Sequence, residues 1–123
     1  NINDFDESIK SLDRAKIISE EFEDEKMDGR IMLCYANLYF AQKKYDKSKE
    51  AISNAIDHFQ NINNNHLVLE SMIRLVQLHL DTSDLESAKK IFKKCNRISR
   101  RVKDPIILSN LKTLSLNENL NID

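Results

Sequence analysis

Glycine and proline are almost absent from this chain of 123 residues, which contains one of each. Average usage would give about 9 glycines and about 6 prolines in a chain of this length. Turns of types II, I′ and II′ need a positive φ, which glycine supplies at the lowest steric cost. So few glycines therefore argue against a β-sandwich, a doubly wound α/β domain and a glycine-rich phosphate loop. The composition predicts an all-α protein.

Signals for membrane insertion and for catalysis are also missing. The longest apolar run, at 31–36, is far shorter than the roughly 20 residues that span a bilayer. The two cysteines, Cys34 and Cys95, form no CxxC motif and are interpreted as structural thiols in a reducing, cytoplasmic compartment. The histidines His58, His66 and His79 lack the spacing of metal ligands. We therefore expect no membrane span, no metal or other cofactor, and no catalytic residues.

The chain contains an internal repeat with a period of 40 residues. Large and small residues alternate in the same order at the matched positions, which are Phe5/Tyr45/Leu85, Ser8/Ser48/Ala88, Leu12/Ile52/Phe92 and Ala15/Ala55/Cys95. Within one repeat these positions lie on one face of a helix. The small residues allow a neighbouring helix to approach closely, while the large residues fill its grooves. One helix pair cannot cover both of its apolar faces, so the pattern predicts stacked helix pairs, an α-solenoid.

Start and stop signals predict six helices, at 4–21, 25–42, 45–61, 66–82, 84–101 and 105–120. Ser83 and Glu86 have the spacing of a capping box, which would open the fifth helix. Asp104 as the N-cap, followed by Pro105, would open the sixth. The asparagine-rich stretch at 61–65 contains the turn between the third and fourth helices. The single glycine, Gly29, is interpreted as a weakened start of the second helix.

These features resemble the tetratricopeptide repeat family, in a variety with about 40 residues per repeat. The positions that carry the resemblance are Met32, Tyr35, Ala36, Tyr39, Tyr45, Ser48, Ile52 and Ala55 in one repeat, and Met72, Leu75, Val76, His79, Leu85, Ala88, Phe92 and Cys95 in the next. The chain departs from the family pattern because it has no tryptophan at the first position, Val76 at a small position and no closing proline.

The resemblance implies a right-handed α-solenoid, a superhelix of antiparallel helix pairs. We call the first helix of each pair first-type and the second helix second-type. The domain would then contain a lone second-type helix, two repeats and a lone first-type helix, at 4–21, 25–62, 65–102 and 105–120. The end repeats of such an array normally carry polar caps. An arrangement that begins with a lone second-type helix and ends with a lone first-type helix therefore predicts a segment of a longer repeat array.

The resemblance also implies a non-catalytic module that binds a protein or peptide segment on the concave face, which the first-type helices line. The positions carried over to that face are Arg30, Cys34, Asn37 and Ala41 in one repeat, and Glu70, Arg74, Gln77 and Asp81 in the next. Among them, the candidates for polar contacts are Arg30, Asn37, Arg74 and Gln77, with Glu70 as a specificity element.

Side-chain amides recur on this face at Asn37, Gln77 and Asn117, which are 40 residues apart. An amide can donate and accept together, so such a row suits pairing with a peptide backbone. The alternative is a solvated row without a partner. Asn117 belongs to the row only in the unshifted register. A shift of one residue puts 111, 114 and 115 of the sixth helix in the aromatic, leucine and small positions and removes Asn117.

Charge is unevenly distributed along the chain, although the net charge is −1. Residues 1–41 carry ten acids and five bases, whereas residues 83–123 carry five acids and nine bases. A basic stripe with i, i+4 spacing consists of Lys89, Lys93, Arg97 and Arg101. Three interpretations remain open: a solvated face, a contact for an acidic partner (including head-to-tail contact with the acidic end of another copy), and binding of nucleic-acid phosphates. No aromatic platform accompanies the stripe, so we expect no nucleic-acid partner.

Two function classes follow. The first is a protein- or peptide-binding scaffold. The alternative is a sensory or regulatory segment of a larger signalling or transcription-regulating protein, possessing an attached output domain. An enzyme is disfavoured because no set of catalytic side chains converges in the sequence.

Overall fold

The computed structural model describes the backbone of residues 2–120 and the side chains of residues 4–120. Six α-helices and one short 3₁₀ helix account for nearly all of this part, and no residue of it forms a strand. The helices are α1 (Ile2–Glu21), α2 (Glu25–Ala41), α3 (Tyr45–Asn61), α4 (Asn65–Asp81), α5 (Leu85–Ser99), α6 (Pro105–Ser115) and the 3₁₀ helix η1 (Glu118–Leu120). The all-α class and the six helices are confirmed.

The chain divides into two compact units, Asn1–Asn63 and Asn64–Asp123. In the first unit α2 packs against both α1 and α3. In the second unit α4 packs against both α5 and α6, and η1 packs against α5. Consecutive helices joined by three-residue turns therefore form the antiparallel pairs α2–α3 and α4–α5.

The turns between helices take the left-handed conformation without glycine. Glu23, Lys43, Asn63 and Ser83, spaced every 20 residues, have φ between 54° and 63°. Lys44 N–H donates to Tyr39 O at 2.8 Å, and Lys43 N–H donates to Phe40 O at 2.9 Å. These two bonds form a Schellman motif, which satisfies carbonyls that would otherwise be unpaired at the end of a helix. The chain therefore forms tight turns although it has almost no glycine. Its turns use four residues with side chains in the left-handed conformation, which costs about 1–2 kcal/mol for each of them.

The residue after each left-handed position is the N-cap of the next helix, and in three of the four cases its side chain caps that helix, Lys44 being the exception. Side-chain oxygens of Asp24, Asn64 and Asp84 accept hydrogen bonds from backbone N–H groups three residues later, at 3.0, 3.1 and 3.2 Å. The predicted capping box at Ser83 is therefore wrong, because Ser83 occupies the left-handed position and Asp84 is the N-cap of α5. The cap of α6 is confirmed, since Asp104 Oδ1 accepts from the N–H groups of residues 106 and 107 at 2.9 and 3.3 Å.

The core of the first unit depends on close contact between α2 and α3. Ser48 Oγ, which is buried, donates to Ala36 O at 2.8 Å. A hydroxyl can reach a backbone carbonyl of the neighbouring helix only where small residues allow the two backbones to approach. Ile52 and Ala55 are buried on the same face of α3. The predicted alternation of small and large residues is therefore the packing surface of this pair.

Gly29 is a packing position, and its interpretation as a weakened helix start is wrong. A Cβ placed on Gly29 would lie 2.5 Å from the ring of Phe59, which is fully buried on α3. Only a residue without a side chain fits there. Forty residues later the sizes are exchanged, because the equivalent positions hold Leu69 and Ser99. At these two matched positions the large residue is therefore on the second helix in one repeat and on the first helix in the next.

The sixth helix follows the shifted register. Leu111 and Leu114 are buried, and α6 ends at Ser115 rather than at residue 120. Asn117 lies after the helix, where its Oδ1 accepts a hydrogen bond from Asn119 N–H at 2.9 Å. Its inclusion in the row of amides on the first-type helices is therefore wrong.

Candidate functional site

The four residues of α2 that were predicted for the concave face form one exposed face of this helix. Arg30, Cys34, Asn37 and Ala41 are separated by four, three and four residues, so they follow one side of the helix, and all four are exposed. The opposite side of α2 packs in the core through Ile31, Tyr35 and Ala36, which are buried. The sequence therefore separates the helix into a packing side and an exposed side that is available to a partner.

An open groove of about 560 Å³ lies between α1 and α2 in the first unit. Its walls combine two carboxylates, small polar groups and apolar side chains. The lining residues are Asp4, Glu7, Ser8, Ser11 and Leu12 from α1, and Cys34, Asn37 and Leu38 from α2. Of the predicted contact residues in this unit, Asn37 lines the groove, whereas Arg30 is exposed on α2 outside it. The contribution of α1 was not predicted from the sequence.

Cys34 is an accessible thiol, so its interpretation as a structural thiol is wrong. The side chain is exposed and lines the groove. Cys95 behaves as predicted, since it is fully buried on α5 and burial raises the pKa of its thiol to about 12. Alkylating reagents attack the thiolate, and we therefore expect them to modify Cys34 selectively.

The second unit carries the corresponding polar row on α4. Glu70 and Gln77 are exposed, and Arg74 is half-buried. Gln77 Nε2 donates to Asp81 Oδ1 at 3.0 Å, one turn further along the helix. The Gln77 amide thus has an intrahelical partner, with which a ligand would compete.

Two hydrogen bonds fix the position of α1 relative to α2. The Tyr35 hydroxyl, on a side chain that is 7% exposed, donates to Asp13 Oδ1. Burial and the neighbouring Asp13 carboxylate raise the pKa of Tyr35 well above its usual value. At the other end of α1, Ser19 Oγ donates to Asp24 O at 3.0 Å. The first bond joins α1 to the buried side of α2, and the second joins the end of α1 to the turn before α2.

A second cavity, of about 310 Å³, lies among α1, α2 and α3. Asp13, Tyr35, Tyr39 and Lys47 contribute to its lining. Lys47 Nζ lies 5.7 Å from the centre of the Tyr39 ring, a cation–π arrangement. None of the predicted contact residues of the first unit lines it.

The basic stripe lies on the side of α5 that faces away from the core. Lys93, Arg97 and Arg101 are exposed and Lys89 is half-buried, whereas Phe92 is buried. Three members are on α5 and Arg101 follows its end. The predicted separation of the stripe from the packing face of this helix agrees with the structure.

A hydrogen bond connects the start of α2 with the end of α3. His58 Nδ1 lies 2.7 Å from Glu25 Oε2, and both side chains are partly exposed. The hydrogen bond from His58 lowers the pKa of the Glu25 carboxyl below its usual value. Among the described residues, no group of histidine, cysteine and acidic side chains has the geometry of a metal site, and no helix is long and apolar enough to cross a membrane.

The lowered pKa of Glu25 predicts a pH-dependent stability. A carboxyl whose pKa is lower in the folded state stabilises that state near neutral pH, and the contribution disappears as the pH falls through its folded-state pKa. We expect Glu25→Gln to reduce the free energy of unfolding at about pH 7 more than at about pH 3. Urea titrations at both pH values measure the difference. Asp57→Asn, at an exposed position beside His58, is the control, and an equal pH dependence for both variants would contradict the prediction.

Comparison with known proteins identifies one family. A family model described as tetratricopeptide repeat matches residues 27–101, more than half of the chain. The match begins near the start of α2 and ends just after α5, so it contains the two helix pairs. No curated protein and no solved structure matches the chain.

Proposed function

Because the chain belongs to the tetratricopeptide repeat family, we propose that it is a non-catalytic module that recognises a segment of a partner protein on the exposed face of its first-type helices. Repeats of this family generally mediate interactions between proteins, and the family is generally a non-catalytic scaffold. In the family's superhelices this face is the concave one. The proposed contact residues are Arg30 and Asn37 on α2, and Glu70, Arg74 and Gln77 on α4.

The observation that carries this proposal is the exposed face of the first-type helix α2, where Asn37 also lines the groove beside α1. The groove combines the Leu12 and Leu38 side chains, which a partner can cover, with the Asn37 amide, which can donate to and accept from a peptide backbone. Both walls belong to helices that are already ordered. Binding there avoids much of the conformational entropy that a flexible site loses on association.

The basic stripe on α5 is a second proposed surface, for an acidic partner. The exposure of Lys93, Arg97 and Arg101 favours it. Surface charges of this kind contribute little to stability, so their concentration on one side of a helix gives the chain a local positive field without a structural requirement for it. The two surfaces are on different helices and can be tested against each other.

Selection of peptides on the intact chain tests the proposal. Short random peptides displayed on phage are selected, and the affinity of synthetic copies is measured for the chain and its variants. Loss of one hydrogen bond in Asn37→Ala is expected to weaken binding about 3–10-fold. Burial of a lysine in Leu12→Lys is expected to weaken it at least about tenfold.

The paired substitution Lys93→Glu with Arg97→Glu provides the control surface. Peptides that bind the proposed face should be unaffected by it and weakened by Asn37→Ala or Arg74→Ala. The opposite pattern would place the binding surface on α5 and overturn the assignment. Circular dichroism of each variant verifies that the helical content is unchanged.

A further inference from the structure

The cavity among α1, α2 and α3 is separate from the groove that Asn37 lines, since no residue lines both. Its walls come from three consecutive helices of the first compact unit, between Asp13 and Asn54. The repeat phase places a preceding first-type helix on the face of α1 that carries Ser8 and Leu12, and neither of these residues lines the cavity. The walls of the cavity are therefore complete within residues 13–54.

The floor of this cavity is apolar and aromatic. Tyr35 and Ala51 are 7% and 5% exposed, and Met32 is half-buried. The Tyr39 ring lies beside Tyr35, with the two ring centres 6.3 Å apart and an angle of 19° between the ring planes. The volume of about 310 Å³ is at the lower end of the roughly 300–1,000 Å³ that is typical of small-molecule pockets. The floor therefore suits the apolar part of a small ligand.

The rim of the cavity carries charges of both signs. Lys16 on α1 and Lys47 on α3 supply two ammonium groups, and Glu50 on α3 supplies a carboxylate. All three side chains are exposed. Among the side chains that the structure describes, none forms an ion pair with Lys16 or Glu50, whereas Lys47 Nζ lies 5.7 Å from the centre of the Tyr39 ring. One ammonium group and one carboxylate at the rim are therefore available to a ligand.

Such a rim favours a ligand that itself carries both charges. A single charge would be attracted by the rim groups of opposite sign and repelled by the others, so the two effects would largely cancel. An ammonium group and a carboxylate on one molecule can instead each meet the opposite charge, at Glu50 and at Lys16. The Asn54 amide, also at the rim, can donate to the carboxylate or accept from the ammonium group. The other carboxylate that lines the cavity, Asp13, already accepts a hydrogen bond from a tyrosine hydroxyl.

We propose that this cavity binds a free α-amino acid with an apolar side chain. The ammonium group of the amino acid pairs with Glu50, its carboxylate pairs with Lys16, and its side chain covers the apolar floor. Because Lys16 is on α1 and Glu50 is on α3, the bound amino acid connects two walls of the cavity. This site goes beyond the proposed partner surface and does not depend on it.

Three probes that share one phenylalkyl group test the proposal on the intact chain. L-Phenylalanine carries both charges, phenylpropionate only the carboxylate and phenethylammonium only the ammonium group. Each probe is titrated into the protein, and binding is followed by the changes in amide chemical shifts in NMR spectra. We expect L-phenylalanine to bind with a dissociation constant on the order of 1 mM. It should bind about two- to fivefold more tightly than either singly charged probe, with shifts in α1, α2 and α3.

Two substitutions at the rim separate the two charges. Glu50→Gln should weaken phenylalanine and phenethylammonium about two- to fivefold and should not weaken phenylpropionate. Lys16→Gln should weaken phenylalanine and phenylpropionate by a similar factor and should not weaken phenethylammonium. The matched controls are Asp46→Asn and Lys10→Gln, which change exposed residues of the same two helices outside the cavity. These controls should leave all three affinities unchanged.

Several results would overturn the proposal. Equal affinities for the three probes, or rim variants that behave like their controls, would show that the two charges are not recognised. L-Leucine is titrated as a second zwitterion, and absence of binding by both amino acids at about 10 mM would show that the cavity does not take this class of ligand. Protection of Cys34 from alkylation by phenylalanine would place the probe in the other groove, which Cys34 lines. Peptides from the phage selection test the proposed function separately, because Asn37 is outside this cavity.

Discussion

Replacement of Gly29 by alanine is expected to destabilise the first unit by about 2 kcal/mol, although alanine is the better helix former. The new Cβ would lie 2.5 Å from the Phe59 ring. Phe59 is fully buried, so its ring cannot move aside without displacing other core residues. The steric cost of about 1–3 kcal/mol, occasionally more, therefore exceeds the gain of about 1 kcal/mol in helix propensity. Urea unfolding followed by circular dichroism measures the change.

The second repeat has its large residue at 69 and its small residue at 99, the reverse of the order at Gly29 and Phe59, and this reversal supplies a control. Gly29→Leu and Phe59→Ser would give the first pair the residues that the second pair has at 69 and 99. Each substitution alone is expected to cost about 3 kcal/mol or more, by overpacking in one case and by a cavity in the other. Together they should cost less than the two separate losses by about 2 kcal/mol, because the leucine fills the space that the ring leaves. Additive losses would show that the two positions do not share one packing site.

Gly29 also shows where reasoning from the sequence reaches its limit. The 40-residue period predicted the helices and the small residues at Ser48 and Ala55, because these depend on the spacing within one helix. The role of Gly29 depends on Phe59, which is 30 residues away and on another helix. A repeat alignment does not reveal the pair, since the equivalent positions hold a large residue on the first helix and a small one on the second.

The N-cap of α5 shows that a local motif can indicate the wrong residue. Ser83 and Asp84 both have side chains that can cap a helix, and the capping-box spacing predicts Ser83. The 20-residue spacing of the turns aligns Asp84 with Asp24 and Asn64, and these three residues cap their helices. Ser83 instead aligns with Glu23 and takes the left-handed conformation that closes the preceding helix. The repeated geometry of the turn therefore determines the N-cap of α5, and the capping-box spacing of Ser83 and Glu86 does not.

One wall of the candidate site in the first unit could be predicted in part. Asn37 followed from its place on the exposed side of a first-type helix, and the structure puts it in the groove. The wall from α1 could not be predicted, because Ser8 and Leu12 of α1 match residues of α3 and α5 that are buried between helices, and the sequence alone therefore indicates packing positions. In the structure both residues line the groove beside α2.

The hydrogen bond between α1 and α2 is expected to be asymmetric in its energetics. Asp13→Ala removes the acceptor and leaves the Tyr35 hydroxyl buried without its partner, which costs about 1–3 kcal/mol. Tyr35→Phe removes the hydroxyl and leaves the Asp13 carboxylate, which is exposed and can be hydrated. The second substitution should therefore cost only about 0.5–1.5 kcal/mol. The free energies of unfolding from urea titration at about pH 7 compare the two.

The double variant decides whether this bond positions α1. In Asp13→Ala with Tyr35→Phe no polar group remains buried without a partner, so the total loss should be smaller than the two single losses combined. Because α1 forms one wall of the groove, Asp13→Ala should also increase hydrogen exchange in α1 and accelerate alkylation of Cys34, while α4 and α5 exchange as before. An unchanged exchange rate in α1 with a normal loss of stability would indicate that other contacts hold this helix in place.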